Sequence, residues 1–144
     1  FNWLGQTLYG KTCLDLFAGS GALGFEALSR GAERVVLVES ASEGVAALKQ
    51  NAAKLAAQNL QIHHGDALQY VRGKLEAFDV VFLDPPYKLG LHAELLKLLP
   101  AALKPGGVVY LEDDKPLEIS EPWQVIKNSR AGKVFFALIT LSED

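Results

Sequence analysis

The sequence predicts an α/β fold built on a largely parallel sheet, and three observations carry that expectation. Apolar runs alternate with helix-period stretches from one end of the chain to the other. The first strand-like run opens through Gly19-Ser20-Gly21 into a helical stretch. The last two apolar runs have only Asn128 to Gly132 between them, a hairpin-length connection, so the end of the sheet should be antiparallel.

Each element follows from its local pattern. Residues 12–17 are continuously apolar apart from Asp15, as in a strand covered on both faces. A helix is expected over 22–30, ended by Gly31 as a C-cap glycine. Residues 34–39 form a second strand. Ser40-Ala41-Ser42-Glu43 then has the serine-to-glutamate spacing of a capping box, at the head of a helix reaching about residue 58. Val45, Leu48, Ala52 and Leu55 fall on one face of that helix. A short strand over 60–63 leads to Gly65-Asp66-Ala67, a brief helix spans 68–75, and 78–83 make the fourth strand, followed at once by Asp84-Pro85-Pro86-Tyr87. A helix over 92–99, a turn at Lys104-Pro105-Gly106-Gly107, and strands over 108–112, 123–127 and 134–141 complete the alternation.

Composition bounds the function classes. With 144 residues, 49% of them hydrophobic and 22% charged, the chain has the profile of one globular domain spanning residues 1–144. It has no internal repeat, and a monomer is expected. Its apolar runs fall far short of the roughly 20 residues a bilayer span needs, and no leader precedes them, so a cytoplasmic protein with no membrane partner is expected. The single cysteine, Cys13, excludes an internal disulfide and a multi-cysteine metal site. A net charge of −3 weighs against nucleic-acid binding. The opening Phe1-Asn2-Trp3-Leu4 reads like the end of an amphipathic helix, and a basic, substrate-binding segment is expected to precede it.

The chemistry concentrates at two strand ends. Gly19-x-Gly21-x-x-Gly24 sits between a strand and a helix, and Glu39 ends the next strand, 20 residues after the first glycine. The glycines permit a tight turn and close approach of a ligand, while a carboxylate at the second strand's tip can accept from both ribose hydroxyls. These features suit a dinucleotide oxidoreductase and a methyltransferase equally. Asp84-Pro85-Pro86-Tyr87 separates them. An amino group on a nucleobase is a poor nucleophile because its lone pair is delocalised, so a site must hold its hydrogens and aim the nitrogen at a methyl donor. Asp84 and the Pro85 carbonyl are acceptors for that task, the prolines fix the backbone direction, and Tyr87 can stack on the base. The bland alternative is a rigid turn whose aspartate caps the next helix.

Asp15-Leu16-Phe17-Ala18-Gly19-Ser20-Gly21, Val38-Glu39, Gly65-Asp66-Ala67 and Phe82-Leu83-Asp84-Pro85-Pro86-Tyr87 resemble the class I methyltransferase motif set. The likeness is closest to the bacterial 16S ribosomal RNA guanine-N2 methyltransferases of the RsmD type, and it extends over nearly the whole chain. It implies a Rossmann-like, seven-stranded, mostly parallel sheet with an antiparallel last strand and helices on both faces. It also implies S-adenosylmethionine as cofactor, no metal, and 16S ribosomal RNA or a small-subunit assembly particle as partner. By position, Asp15, Phe17, Ala18, Gly19, Ser20 and Gly21 would face the methionine part, Glu39 the ribose and Ser40 the adenine face. Asp66 would accept from the adenine amino group, with the Ala67 amide opposite a ring nitrogen. Asp84, Pro85, Pro86 and Tyr87 would form the catalytic loop. An adenine-N6 methyltransferase acting on DNA, a dinucleotide oxidoreductase and a non-catalytic cofactor-binding scaffold remain as alternatives.

The other chemically suggestive residues are read blandly. His63, His64 and His92 lack zinc-site spacing and are expected as surface or loop histidines. Cys13 has no base nearby in sequence to activate it. Glu112-Asp113-Asp114 ends the fifth strand and could face the site, but is expected as a solvated acidic loop; Lys127, Arg130 and Lys133 cluster around the final hairpin and could touch phosphate, but are expected as ordinary loop cations.

Overall fold

The computed structural model describes residues 2–5, 7–73, 76–84 and 91–142. Its centre is a seven-stranded sheet of order β3-β2-β1-β4-β5-β7-β6. The strands are β1 (Thr12–Asp15), β2 (Arg34–Glu39), β3 (Leu60–His64), β4 (Phe78–Leu83), β5 (Leu103–Asp113), β6 (Trp123–Ala131) and β7 (Val134–Leu141). The first five pair in parallel, and β7 runs antiparallel to both β5 and β6. Helices α1 (Ala22–Ser29), α2 (Ser42–Lys54), α3 (Ala67–Arg72) and α4 (His92–Leu98) connect the parallel strands. No helix among the described residues is long and apolar enough to cross a membrane.

The two sheet faces bury separate clusters. Cys13, Val35, Leu37, Val80 and Phe82 face Ala27 of α1 and Leu48 of α2. Leu14, Val36, Val81 and Leu111 face Val71 of α3 and Leu95 and Leu96 of α4. Residues alternate between these faces along β1, β2 and β4, so the central strands need apolar side chains throughout, which explains their unbroken hydrophobic runs. The one buried polar exception in β1 besides Thr12 is Asp15, 1% exposed.

Boundaries shift where local bonding competes. β1 ends at Asp15 rather than Phe17, because the chain bends there so that the Phe17 amide donates to Asp15 Oδ1. Helix α1 stops one residue early, at Ser29. The Gly31 amide donates to the Leu28 carbonyl and the Ala32 amide to that of Ala27, with Gly31 at φ 94°, a Schellman ending. The expected capping box of α2 does not form: Ala41 is the N-cap, without a side-chain hydrogen bond, and its amide goes to Glu39 instead. The same helix ends at Lys54, short of residue 58, and Ala56 and Asn59 turn the chain at positive φ. Leu55 is consequently 64% exposed and does not share the buried face of Val45 and Leu48.

Helix α3 covers Ala67–Arg72, capped by Asp66 Oδ2 accepting from the Gln69 amide. Helix α4 passes at Leu99 into a 3-10 turn, Leu99–Ala102. Strand β5 begins at Leu103, earlier than expected, because Phe78 pairs with Leu103 and Val80 already with Val108. Lys104-Pro105-Gly106-Gly107 is therefore an outward excursion within the strand, with Gly106 at φ 78°. Strand β6 continues to Ala131 opposite Val134, which leaves a two-residue turn, Gly132-Lys133. Gly132 holds its first position at φ 61°, as tight hairpins require.

Gly24 sets how closely α1 lies on the sheet. A Cβ there would come within 2.3 Å of Leu37 Cδ2, which is fully buried and has no space to yield. Gly24→Val should cost about 1–3 kcal/mol through overpacking, measured as a lower urea midpoint at unchanged slope.

Candidate functional site

The carboxyl ends of β1, β2 and β4 converge at one rim of the sheet, where an open α/β fold binds ligands. The loop from β1 to α1 is held from several sides. The Leu16 amide donates to the Phe82 carbonyl and the Ala18 amide to the Val38 carbonyl, so the chain leaves β1 still tied to both flanking strands. Gly19 and Gly21 then take φ 54° and 84°, and the Gly21 amide closes a turn onto the Ala18 carbonyl at 2.7 Å. These are left-handed conformations that a side chain disfavours. Nothing would meet a Cβ on Gly19 within 4 Å, so the loop's crown faces open space.

Glu39 ties this loop to the next unit. Its Oε1 accepts from the Gly19 amide and its Oε2 from the Ala41 amide, each at 3.0 Å. The two bonds bridge the first crossover and the head of α2. Gly44 makes room for them, since a Cβ there would lie 2.9 Å from Glu39 Cγ and 3.0 Å from Oε2. The backbone of Glu39 also accepts from the Gly65 amide, which brings the Gly65-Asp66 turn to the same rim. His64 Nε2 lies 3.1 Å from the Ser40 carbonyl, to which it must donate. Ser20, Ser40 and Asp66 are exposed, and Ala67 is buried at the start of α3.

Asp15 and Asp84 lie on one face of the sheet. Asp15 pairs with Phe82, and Asp84 follows two residues later on the strand alternation. Burial pushes the Asp15 carboxyl up to about 7; the Phe17 amide opposes this, and the charges of Asp84 and Glu39 add to it. The half-buried Asp84 is pushed up to about 6, by burial first and then by Glu112, with His92 acting in the opposite direction. Pro85, Pro86 and Tyr87 lie outside the described residues.

Sequence alone leaves Glu112 at the end of the fifth strand, able to face this rim but expected in a solvated acidic run, and His92 as a surface or loop histidine; the structure brings both to the site. Glu112 follows Leu111, the partner of Leu83, and so stands beside Asp84 rather than in a solvated loop. Its Oε1 accepts the Tyr110 hydroxyl at 2.6 Å. His92, expected at the surface, is anchored: Nε2 is 2.6 Å from the Glu112 carbonyl, and Nδ1 is 3.6 Å from Asp113 Oδ2. A carbonyl only accepts, so Nε2 carries a proton, and the first residue of α4 is fastened to the tip of β5. The available signal was positional, an acidic run directly after an apolar strand. On the same face Trp3 packs at 5.2 Å from Phe136 and 6.4 Å from Tyr110, between ring centroids. Among the described residues, no group of three or more His, Cys, Asp or Glu side chains is placed to hold a metal ion. Cys13 is buried, and burial pushes its thiol up to about 12.

Comparison with known proteins places this rim within a family. The family model described as "Conserved hypothetical protein 95" matches residues 1–140. The ribosomal RNA small subunit methyltransferase D of Haemophilus influenzae is 38% identical over 96% of this chain and 76% of its own length. The chain belongs to this family. A solved putative methyltransferase from Escherichia coli superposes with a TM-score of 0.91 at 33% identity, covering 99% of this chain and 82% of that one. A more distant putative methyltransferase, solved in complex with SAH, shares the fold at a TM-score of 0.80 and 15% identity, covering 94% of this chain and 46% of that one. The sheet order and antiparallel end are therefore those of the class I methyltransferase fold, as the motif resemblance implies.

Asp15 makes stability depend on pH. A carboxyl at about 7 in the folded chain, against an ordinary 3.8, binds its proton more tightly when folded. Its contribution is greatest below pH 4, is lost as pH rises towards 7, and is flat above. Asp84 adds the same sign up to about pH 6. Asp15→Asn should therefore stabilise the chain at pH 8 by about 1–3 kcal/mol and leave it nearly unchanged at pH 4, read from denaturation at both values.

Proposed function

We propose that the chain transfers a methyl group from S-adenosylmethionine to the exocyclic N2 amino group of a guanine in small-subunit ribosomal RNA. The observation that carries this reading is the half-buried Asp84 one strand away from the Glu39-bridged glycine loop. The names of the relatives, ribosomal RNA small subunit methyltransferase D among them, and the SAH complex of a fold neighbour support it. The residues present fit the cofactor. Each Glu39 oxygen accepts one amide and retains a lone pair, so the carboxylate can still receive two ribose hydroxyls. The open crown of the glycine loop at Gly19 and Ser20 leaves space for the methionine part, and Asp66 retains one oxygen beyond the one that caps α3.

When bound, S-adenosylmethionine supplies an electrophilic methyl group on a sulfonium. Asp84 accepts a hydrogen bond from the target amino group and turns its nitrogen lone pair out of conjugation with the ring. The Pro85 carbonyl and the Tyr87 ring are assigned the second acceptor and the stacking surface. Glu112 keeps the Asp84 environment acidic, and its bond from Tyr110 fixes where its own charge sits. Holding two reactants in attack geometry supplies up to about 7–11 kcal/mol, against about 1.5–3 for one charged hydrogen bond, so positioning dominates. A guanine in structured RNA must be unpaired or extruded to reach this rim.

Asp84→Ala should leave S-adenosylmethionine affinity within a few fold and slow single-turnover methyl transfer by roughly one to two orders of magnitude. The rate should rise with pH through about 6 as Asp84 ionises, and Asp84→Asn should flatten that rise. Loss of cofactor binding in Asp84→Ala, with an unchanged transfer rate for bound complexes, would reassign the residue to the cofactor site.

A further inference from the structure

The β6–β7 hairpin is a basic part of an acidic chain. From Trp123 to Leu141 the sequence holds Lys127, Arg130 and Lys133 and no Asp or Glu, within a chain of net charge −3. All three cations are exposed. Register places them: Phe135 stands opposite Asp113 on β5 and opposite Arg130 on β6. The Gly132-Lys133 turn therefore projects past the carboxyl end of β5, at the rim that holds Asp84. Three interstrand spacings separate β4 from β6, a lateral distance of about 14 Å. That is too far for contact with the target base itself and well placed for its neighbours along a strand.

The two faces of the hairpin offer different contacts. Lys127 stands opposite Leu138, itself opposite Tyr110, and so lies on the face of Asp84. Arg130 lies on the other face, its guanidinium carbon 5.1 Å from the centroid of the Phe135 ring. Its Nε donates to the Gly132 carbonyl at 2.8 Å, which orients the fork and leaves the terminal amino groups for an anion. Beside this stack runs a groove of about 510 Å³, lined by Leu117, Ile119, Val125 and Phe135 with Asn128 and Ser129. A planar cation stacked on an aromatic ring beside a polar and apolar groove suits unpaired nucleotides, whose bases stack and whose phosphates need cations. Strand addition by a protein partner fits less well, because lysine and a register break between Val125 and Lys127 interrupt the edge of β6.

We propose that the β6–β7 hairpin and its groove bind the single-stranded RNA flanking the target nucleotide, with phosphates on Lys127, Arg130 and Lys133 and a base beside the Arg130–Phe135 stack. The inference rests on RNA being the substrate, as proposed above. The test uses the full chain, an unmodified small-subunit ribosomal RNA transcript and the unmodified assembled small-subunit particle as probes, and the triple variant Lys127→Gln, Arg130→Gln, Lys133→Gln. At about 0.1 M salt the dissociation constant should rise roughly 10- to 100-fold, and the slope of log affinity against log salt should shrink by about 2, or 0.7 per phosphate lost. Single-turnover transfer at saturating RNA should stay within about twofold, with cofactor affinity and melting temperature unchanged. Arg130→Lys should restore the salt slope but not the full affinity. Wild-type methylation and RNA affinity unaffected by the three substitutions would overturn this inference alone. So would a defect confined to assembled particles, which would assign the surface to a ribosomal protein. A wild-type chain that neither bound nor methylated the transcript or the particle would overturn the functional reading with it.

Discussion

The carboxylate of Glu39 holds together the two segments that make the rim. It accepts the Gly19 amide from the loop after β1 and the Ala41 amide from the head of α2. Those donors would otherwise face solvent from turns with little apolar burial of their own. Charge-assisted bonds to backbone amides are stronger than neutral ones, so a single side chain fixes a glycine loop that is intrinsically free to move. The same bonds fix the orientation of both oxygens at the rim, and Gly44 yields the space that permits it.

Acidity is the second constraint. Asp15, Glu39, Asp84 and Glu112 crowd one end of the sheet, and burial together with mutual repulsion raises the Asp15 and Asp84 carboxyls. Such crowding destabilises the free chain and favours a cofactor with a sulfonium and an ammonium group, which brings positive charge to the rim. It opposes a polyanion, and the cations of the β6–β7 hairpin lie to one side of this acidic centre, which is where the proposed RNA contact places its phosphates.

Much of this was legible in the sequence, for identifiable reasons. Strands β2 and β4 match their expected limits because burial on both faces demands unbroken apolar runs there, and β7 matches its own between the Gly132-Lys133 turn and Ser142. The glycine loop and Glu39 were legible because left-handed turns need glycine and the 20-residue spacing reflects one crossover helix. The expected capping box does not form because the helix begins one residue later than the motif implies, with Ala41 as its N-cap. The exposure of Leu55 depends on where Ala56 turns the chain, which helical periodicity does not encode. Neither Glu112 nor His92 carries a local signal of its place, because Glu112's neighbours come from β4 and α4 and those of His92 from β5. Only the register of β5 against β4 reveals that one flanks Asp84 and the other fastens α4.

The proposed function makes Glu39, which bridges the glycine loop, the central contact to the methyl donor. The most direct test is calorimetric titration of the wild-type chain and Glu39→Ala with S-adenosylmethionine, with NAD as control. The expected result is saturable binding of S-adenosylmethionine and none of NAD by the wild type, with affinity lowered at least roughly tenfold in Glu39→Ala, the loss of one or more hydrogen bonds to a charged group. Binding of NAD in preference to S-adenosylmethionine, or equal affinity of both chains for the methyl donor, would contradict the account.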